Sequence, residues 1–144
     1  MSDYRIIPYK KEHIECMDVR DHESHLIRPD TLAGLENGLA ITGIVDGRIV
    51  SCGGILPYHH GNAEIWQIPS IYVESVSLQY ARFVRKWLEE KQAEFCLHRM
   101  ETLCLDDDLH NRWMRFLGFE REGVKRKWVN DMNYVMWGRL FDGD

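Results

Sequence analysis

At 144 residues, with 44% hydrophobic and 28% charged side chains, the chain has the size of one domain and enough apolar material for a packed core. This excludes a disordered or collagen-like protein. A formal charge of -5 disfavours a broad nucleic-acid-binding surface, leaves room only for a local basic patch, and suits a cationic partner better.

In chain order, residues 4–9 make a first strand, and 10–20 place Ile14 and Met17 at helical spacing. Asp30 and Thr31 offer N-cap oxygens to a second short helix, with Leu32 and Leu35 on one side and Gly38 as its stop. At Ala40 the period changes to two. Residues 40–45, an Asp46-Gly47 turn and residues 48–56 form a hairpin with a two-residue loop. Pro57 and a His59-His60-Gly61-Asn62 turn lead into 63–68, which completes an antiparallel meander of three strands.

Ser75 or Ser77 can cap the next helix, where Val76, Tyr80, Phe83, Val84, Trp87 and Leu88 share a face opposite Arg82, Arg85, Lys86 and Glu89. Residues 101–105 read as a buried strand. Asp106, Asp107 and Asp108 then put carboxylates at a helix N-terminus, and Leu109, Trp113, Phe116 and Leu117 form its buried stripe before Gly118. Residues 119–128, an Asn130-Asp131 turn and residues 133–141 close as a hairpin. The order βααβββαβαββ defines an α/β (α+β) protein, expected as a single domain over residues 1–144.

Several local signals point to nothing catalytic. Cys16, Cys52, Cys96 and Cys104 lack CxxC spacing and sit among apolar neighbours, so reduced core thiols are expected, with neither disulfide nor zinc. His22 and His25 lie three apart in Asp21-His22-Glu23-Ser24-His25, but no third ligand motif supports a metal site. His59 and His60 fall in a turn, where solvation is expected. Trp66, Trp87, Trp113, Trp128 and Trp137 are expected mostly in the core, not as stacking platforms. No apolar run approaches the roughly 18 residues of a membrane helix, and Met1-Ser2-Asp3-Tyr4-Arg5 lacks the apolar stretch of a signal peptide, so a cytoplasmic location and no membrane partner are expected.

Two segments carry a resemblance. The hairpin Ile44-Val45-Asp46-Gly47-Arg48-Ile49-Val50-Ser51-Cys52-Gly53-Gly54-Ile55 is similar to the second and third strands of the GNAT superfamily of N-acetyltransferases. The run Asn111-Arg112-Trp113-Met114-Arg115-Phe116-Leu117-Gly118-Phe119-Glu120-Arg121-Glu122-Gly123 resembles that superfamily's helix followed by a Gly-Phe pair. Within the superfamily, Ala63-Glu64-Ile65-Trp66, the basic helix and the final Leu117-Gly118-Phe119 resemble a divergent bacteriophage-encoded group.

The resemblance implies a central mixed, mostly antiparallel twisted sheet of about seven strands flanked by about four helices. It also implies acetyl-CoA as acyl donor and a small-molecule or protein amine as acceptor. The strands from Ala63 and Glu101 are then parallel and diverge at their C-terminal ends. The pantetheine arm lies along Ile68 and the residues after it, and Ser75, Val76, Ser77 and Leu78 face the pyrophosphate. Glu64 is the candidate general base, taking the proton of an ammonium substrate directly or through water. Gln67 and Glu101 are weaker alternatives for the same task.

Two departures separate this chain from the pattern. Where the superfamily has a Q/R-x-x-G-x-G/A loop whose bare N–H groups cradle pyrophosphate, this chain has Val73-Glu74-Ser75-Val76-Ser77-Leu78, with no arginine or glycine. Weak cofactor binding is the expectation. Four residues before Gly118, where a tyrosine often protonates the departing thiolate, stands Met114, whose thioether has no proton to give. These departures support an alternative, a non-catalytic phage virion, assembly or host-interaction protein that keeps the fold; a homodimer is compatible with either reading.

Overall fold

A computed structural model describes residues 4–17, 39–70 and 78–141. Seven strands join one sheet: β1 (Tyr4–Pro8), β2 (Ala40–Val45), β3 (Arg48–His59), β4 (Asn62–Pro69), β5 (Arg99–Leu105), β6 (Glu120–Val129) and β7 (Met132–Leu140), in the order β1-β2-β3-β4-β5-β7-β6. The described helices are α1 (Lys11–Glu15), α2 (Leu78–Glu94) and α3 (Asp108–Phe116). The expected α/β class and seven strands are therefore found. The helix expected between Asp30 and Gly38, the His22 and His25 pair, and residues Ser75, Val76 and Ser77 lie outside the described residues. No helix among the described residues is long and apolar enough to cross a membrane.

Residue contacts gather into two units, Met1–Leu56 with Trp66–Tyr80, and Pro57–Ile65 with Ala81–Asp144. In the first, β1 and β2 pair antiparallel from Tyr4↔Val45 to Pro8↔Ile41. The β2–β3 hairpin turns on Asp46 (φ 49°) and Gly47 (φ 79°), the two left-handed residues that match the natural twist of paired strands. Tyr9, Ile14, Met17, Ala40, Cys52 and Ile68 form its core, with Ile49 and Trp66 packed against them. Helix α1 ends at Glu15, short of the expected residue 20, and Met17 turns its side chain into the core instead of continuing the helix. β3 runs through Pro57 to His59, beyond the expected end at residue 56; proline is tolerated where its missing N–H is not part of a ladder.

In the second unit, β5 pairs antiparallel with β7 along its whole length, Arg99↔Leu140 to Leu105↔Tyr134, and β6 pairs with β7 beyond it. The closing hairpin turns on Asn130 (φ 50°) and Asp131 (φ 61°), as its sequence predicts. Helix α2 buries Leu88 and exposes Arg82, Lys86 and Glu89. Its end is unexpected: Cys96 takes the left-handed conformation (φ 53°) usual for glycine, while Leu97 N–H donates to the Gln92 carbonyl at 2.9 Å. Helix α3 is capped by Asp107, whose carboxylate accepts the His110 N–H at 2.8 Å.

The expected α3 stripe needs correction. Leu117 is buried, but Leu109, Trp113 and Phe116 are only half-buried, and the buried side chain of the helix is Met114, 3% exposed. The cysteines also differ from expectation: Cys52 is in the core and Cys104 half-buried, whereas Cys16 and Cys96 are exposed. Both exposed cysteines sit just past a helix end. Among the tryptophans, Trp137 is fully buried and Trp128 is 52% exposed.

Candidate functional site

The parallel ladder of the sheet is short. β4 and β5 pair at Asn62↔Arg99, Ala63↔Met100 and Glu64↔Glu101, which establishes the expected parallel orientation. Because side chains alternate along a strand, this register puts Asn62, Glu64, Arg99 and Glu101 on one face. Ala63 and Met100, both 0% exposed, occupy the other. One residue past the ladder, Thr102 Oγ1 donates to the Ile65 carbonyl at 2.8 Å, so a side chain takes the acceptor that strand pairing would otherwise use.

The polar face is organised around Arg99. Its Nε donates to Glu101 Oε1 at 2.9 Å, and Asn62 Nδ2 donates to the same oxygen at 3.0 Å. Its Nη1 donates to Glu122 Oε2 at 2.9 Å, with Nη2 on the other carboxylate oxygen, a bidentate fork. Glu122 reaches Arg99 for two reasons. The β6 ladder shifts between Arg121↔Trp137 and Gly123↔Met136, leaving Glu122 as an extra, bulged residue. β7 offers Gly138 in between: a Cβ there would come within 2.5 Å of the Glu122 carboxylate. The pairing lowers the Glu122 pKa, chiefly through the Arg99 hydrogen bonds, and raises that of Arg99.

Glu64 stands beside this network and not in it. Its side chain keeps an exposed surface, yet its pKa is raised above the ordinary 4.5, first by desolvation and then by the negative charge of Glu101. The two strand-paired carboxylates thus have different partners. Glu101 has donors that hold its charge, whereas Glu64 is pushed toward the neutral form, which makes it the better proton acceptor once ionised.

The remaining predicted residues are dispersed. Met114 is buried within the second unit, and its carbonyl accepts the Phe119 N–H at 3.0 Å. Ile68 belongs to the core of the first. Leu78, 56% exposed, opens α2, whose first turn carries no acidic residue. Arg85 donates to the Phe116 carbonyl at 3.0 Å, and His60 is exposed. Sequence reasoning missed Arg99, Asn62 and Glu122. The alternation Arg99-Met100-Glu101 carried a signal for the first, since it puts opposite charges on one face of a strand. Nothing local marks Glu122, because its reach depends on a bulge and on a glycine in the next strand.

No protein-family model matches the sequence, and no curated protein matches it. Solved structures do match in shape. Ard1 from Thermoplasma volcanium is 16% identical with a TM-score of 0.71, over 95% of this chain and 97% of that one. An acetyltransferase of the GNAT family from Streptococcus pneumoniae is 12% identical with a TM-score of 0.68, over 96% and 99%. The microcin C7 self immunity acetyltransferase MccE, in complex with acetyl-CoA and AMP, is 16% identical with a TM-score of 0.57, over 71% of this chain and 60% of that one. At such identities the likeness defines the fold: this chain has the fold of the GNAT acetyltransferases.

Proposed function

We propose that the protein transfers an acetyl group from acetyl-CoA to an amine, with Glu64 as general base. The observation that carries this reading is the asymmetry of the paired carboxylates at the end of the parallel ladder, Glu64 raised and Glu101 held by Arg99 and Asn62. The GNAT fold and the acetyl-CoA in the MccE complex support it.

The chain fits the donor in part. The first described turn of α2 holds no carboxylate, whereas the sequence just before it, Val73-Glu74-Ser75-Val76-Ser77, offers neither arginine nor glycine and carries the charge of Glu74. With no glycine in that stretch of sequence, acetyl-CoA binding weaker than low-micromolar is expected by calorimetry. Bound acetyl-CoA supplies the acyl group and a thiolate leaving group. Glu64 takes the ammonium proton, directly or through one water, leaving a neutral amine. Glu101 is held beside Glu64 by Arg99 and Asn62. Met114 gives no proton, and a thiolate near the thiol reference pKa of about 8.5 leaves without one at modest cost.

Release of free thiol from acetyl-CoA over a panel of amines tests the reading. Glu64→Gln should lower kcat/KM by about 10²-fold while leaving acetyl-CoA binding intact. An unchanged rate removes Glu64 from the mechanism. No turnover by either form, with acetyl-CoA bound, replaces the enzyme with a non-catalytic interaction protein on the same fold.

A further inference from the structure

The β6–β7 ladder opens at a second place. Lys125 pairs with Tyr134 and Val129 with Met132, so Arg126, Lys127 and Trp128 together stand against Asn133 alone. Lys127 adopts φ 52°, and its N–H donates to Asn133 Oδ1 at 3.0 Å, which pins the bulge from its partner strand. Arg126, Lys127 and Trp128 are all exposed, Trp128 by 52%. The Lys125 ammonium lies 3.9 Å from the centre of the Trp128 ring. Among the described residues, no carboxylate pairs with Lys125, Arg126 or Lys127.

Charges on an edge strand discourage pairing with other chains. That role explains the cations but not the tryptophan, and a bulge already interrupts the edge. An indole left half in water forgoes burial that the chain gives Trp137, 1% exposed. An exposed aromatic ring with one cation against it and two more exposed cations beside it in sequence, on a backbone held by a side-chain hydrogen bond, make a small platform: phosphates for the cations, a stacked base for the ring. The charge of -5 argues against a broad cationic surface and says nothing against four adjacent residues.

We propose that the bulge at residues 125–128 binds single-stranded nucleic acid, with a base stacked on Trp128 and phosphates on Arg126, Lys127 and Lys125. The proposal is independent of the acetyl-transfer reading.

Fluorescence anisotropy of a short labelled oligothymidylate, titrated with the full chain at several salt concentrations, tests it. Neutralising about three phosphates should give a slope of log affinity against log salt of about -2 for a single strand. Trp128→Ala should weaken binding about tenfold with little change in slope, and Trp128→Phe should restore most of it. Arg126→Glu with Lys127→Glu should abolish measurable binding, with circular dichroism and melting temperature unchanged. Four outcomes overturn the proposal: no binding at low salt, binding that ignores Trp128, a duplex bound more tightly than the single strand, or polyglutamate competing as well as unlabelled oligonucleotide. The last would make the surface a site for acidic protein segments.

Discussion

The two units treat polar side chains in opposite ways. In the first, a hydrogen-bonded chain runs from the surface into the core: His13 Nδ1 accepts the Lys10 N–H at 3.1 Å and lies 2.7 Å from Thr42 Oγ1, which is 3.4 Å from Cys52 Sγ. Thr42 and Cys52 are 0% exposed. Since His13 Nδ1 is an acceptor here, Thr42 donates to it and takes the Cys52 S–H. Burial accordingly raises the Cys52 thiol to about 11, so it remains protonated and inert. In the second unit, Arg99, Glu101 and Glu122 bridge strands while keeping contact with water. Neutral groups can be buried once each finds a partner, whereas charges need both partners and water. A chain of charges half in water can therefore bias a neighbouring carboxyl, as Glu101 does Glu64, whereas the buried Thr42 and Cys52 pair only holds its strands in register.

The strongest break in this comparison comes from the interior of the first unit. A methyl on Gly54 would strike the Leu39 carbonyl oxygen and would lie 2.7 Å from Ala40 Cα. Both are backbone atoms that cannot rotate aside. Gly54→Ala should destabilise the fold by about 3 kcal/mol, read as a clear fall in melting temperature and urea midpoint. Gly138→Ala should cost less, because its methyl meets the far end of the Glu122 side chain, which can turn aside at the expense of its fork with Arg99.

Thr42→Val keeps shape and removes both hydrogen bonds from the His13-Thr42-Cys52 chain, so a loss of about 1–2 kcal/mol is expected in urea unfolding. A change within error would mean that the chain is packing alone. In the unmodified protein, thiol labelling at mildly alkaline pH should mark Cys16 and Cys96 rapidly and leave Cys52 untouched until the chain unfolds.

The smallest stability effect belongs to the charged network. Glu122→Gln should cost less than about 1 kcal/mol at neutral pH, since the pair remains partly solvated. Its sign with pH is fixed. The folded pKa of Glu122 lies below the ordinary 4.5, so its contribution is present above the unfolded value and is lost as pH falls through the folded one. Melting temperatures of the two forms should converge in acid. For activity, Glu101→Gln should move the acid limb of kcat/KM to lower pH by relieving Glu64, but only partly, because desolvation is the larger cause of its raised pKa.

Much of the fold was legible because it is local. Asp46-Gly47 and Asn130-Asp131 specify their turns by backbone conformation, and Asp107 with Gly118 (φ 90°) marks both ends of α3. Glu64 was legible as a strand carboxylate, and Glu101 as an alternative to it. The pairing that sets them apart was not, because it depends on register: Arg99 meets Glu101 along one strand, but Glu122 arrives across Gly138 only through a bulge. Trp113 was expected on the buried stripe of α3, yet Met114 is the side chain that turns inward, a choice between neighbours that helical spacing alone does not decide.

The insertion of β7 between β5 and β6 has a consequence for synthesis. β6 leaves the ribosome before the strand that holds it to the sheet, and until Met132–Leu140 follows it has no ladder to join. Most of its side chains are polar or charged and remain exposed even in the finished sheet, a composition suited to a strand that must wait in water without recruiting a neighbouring nascent chain.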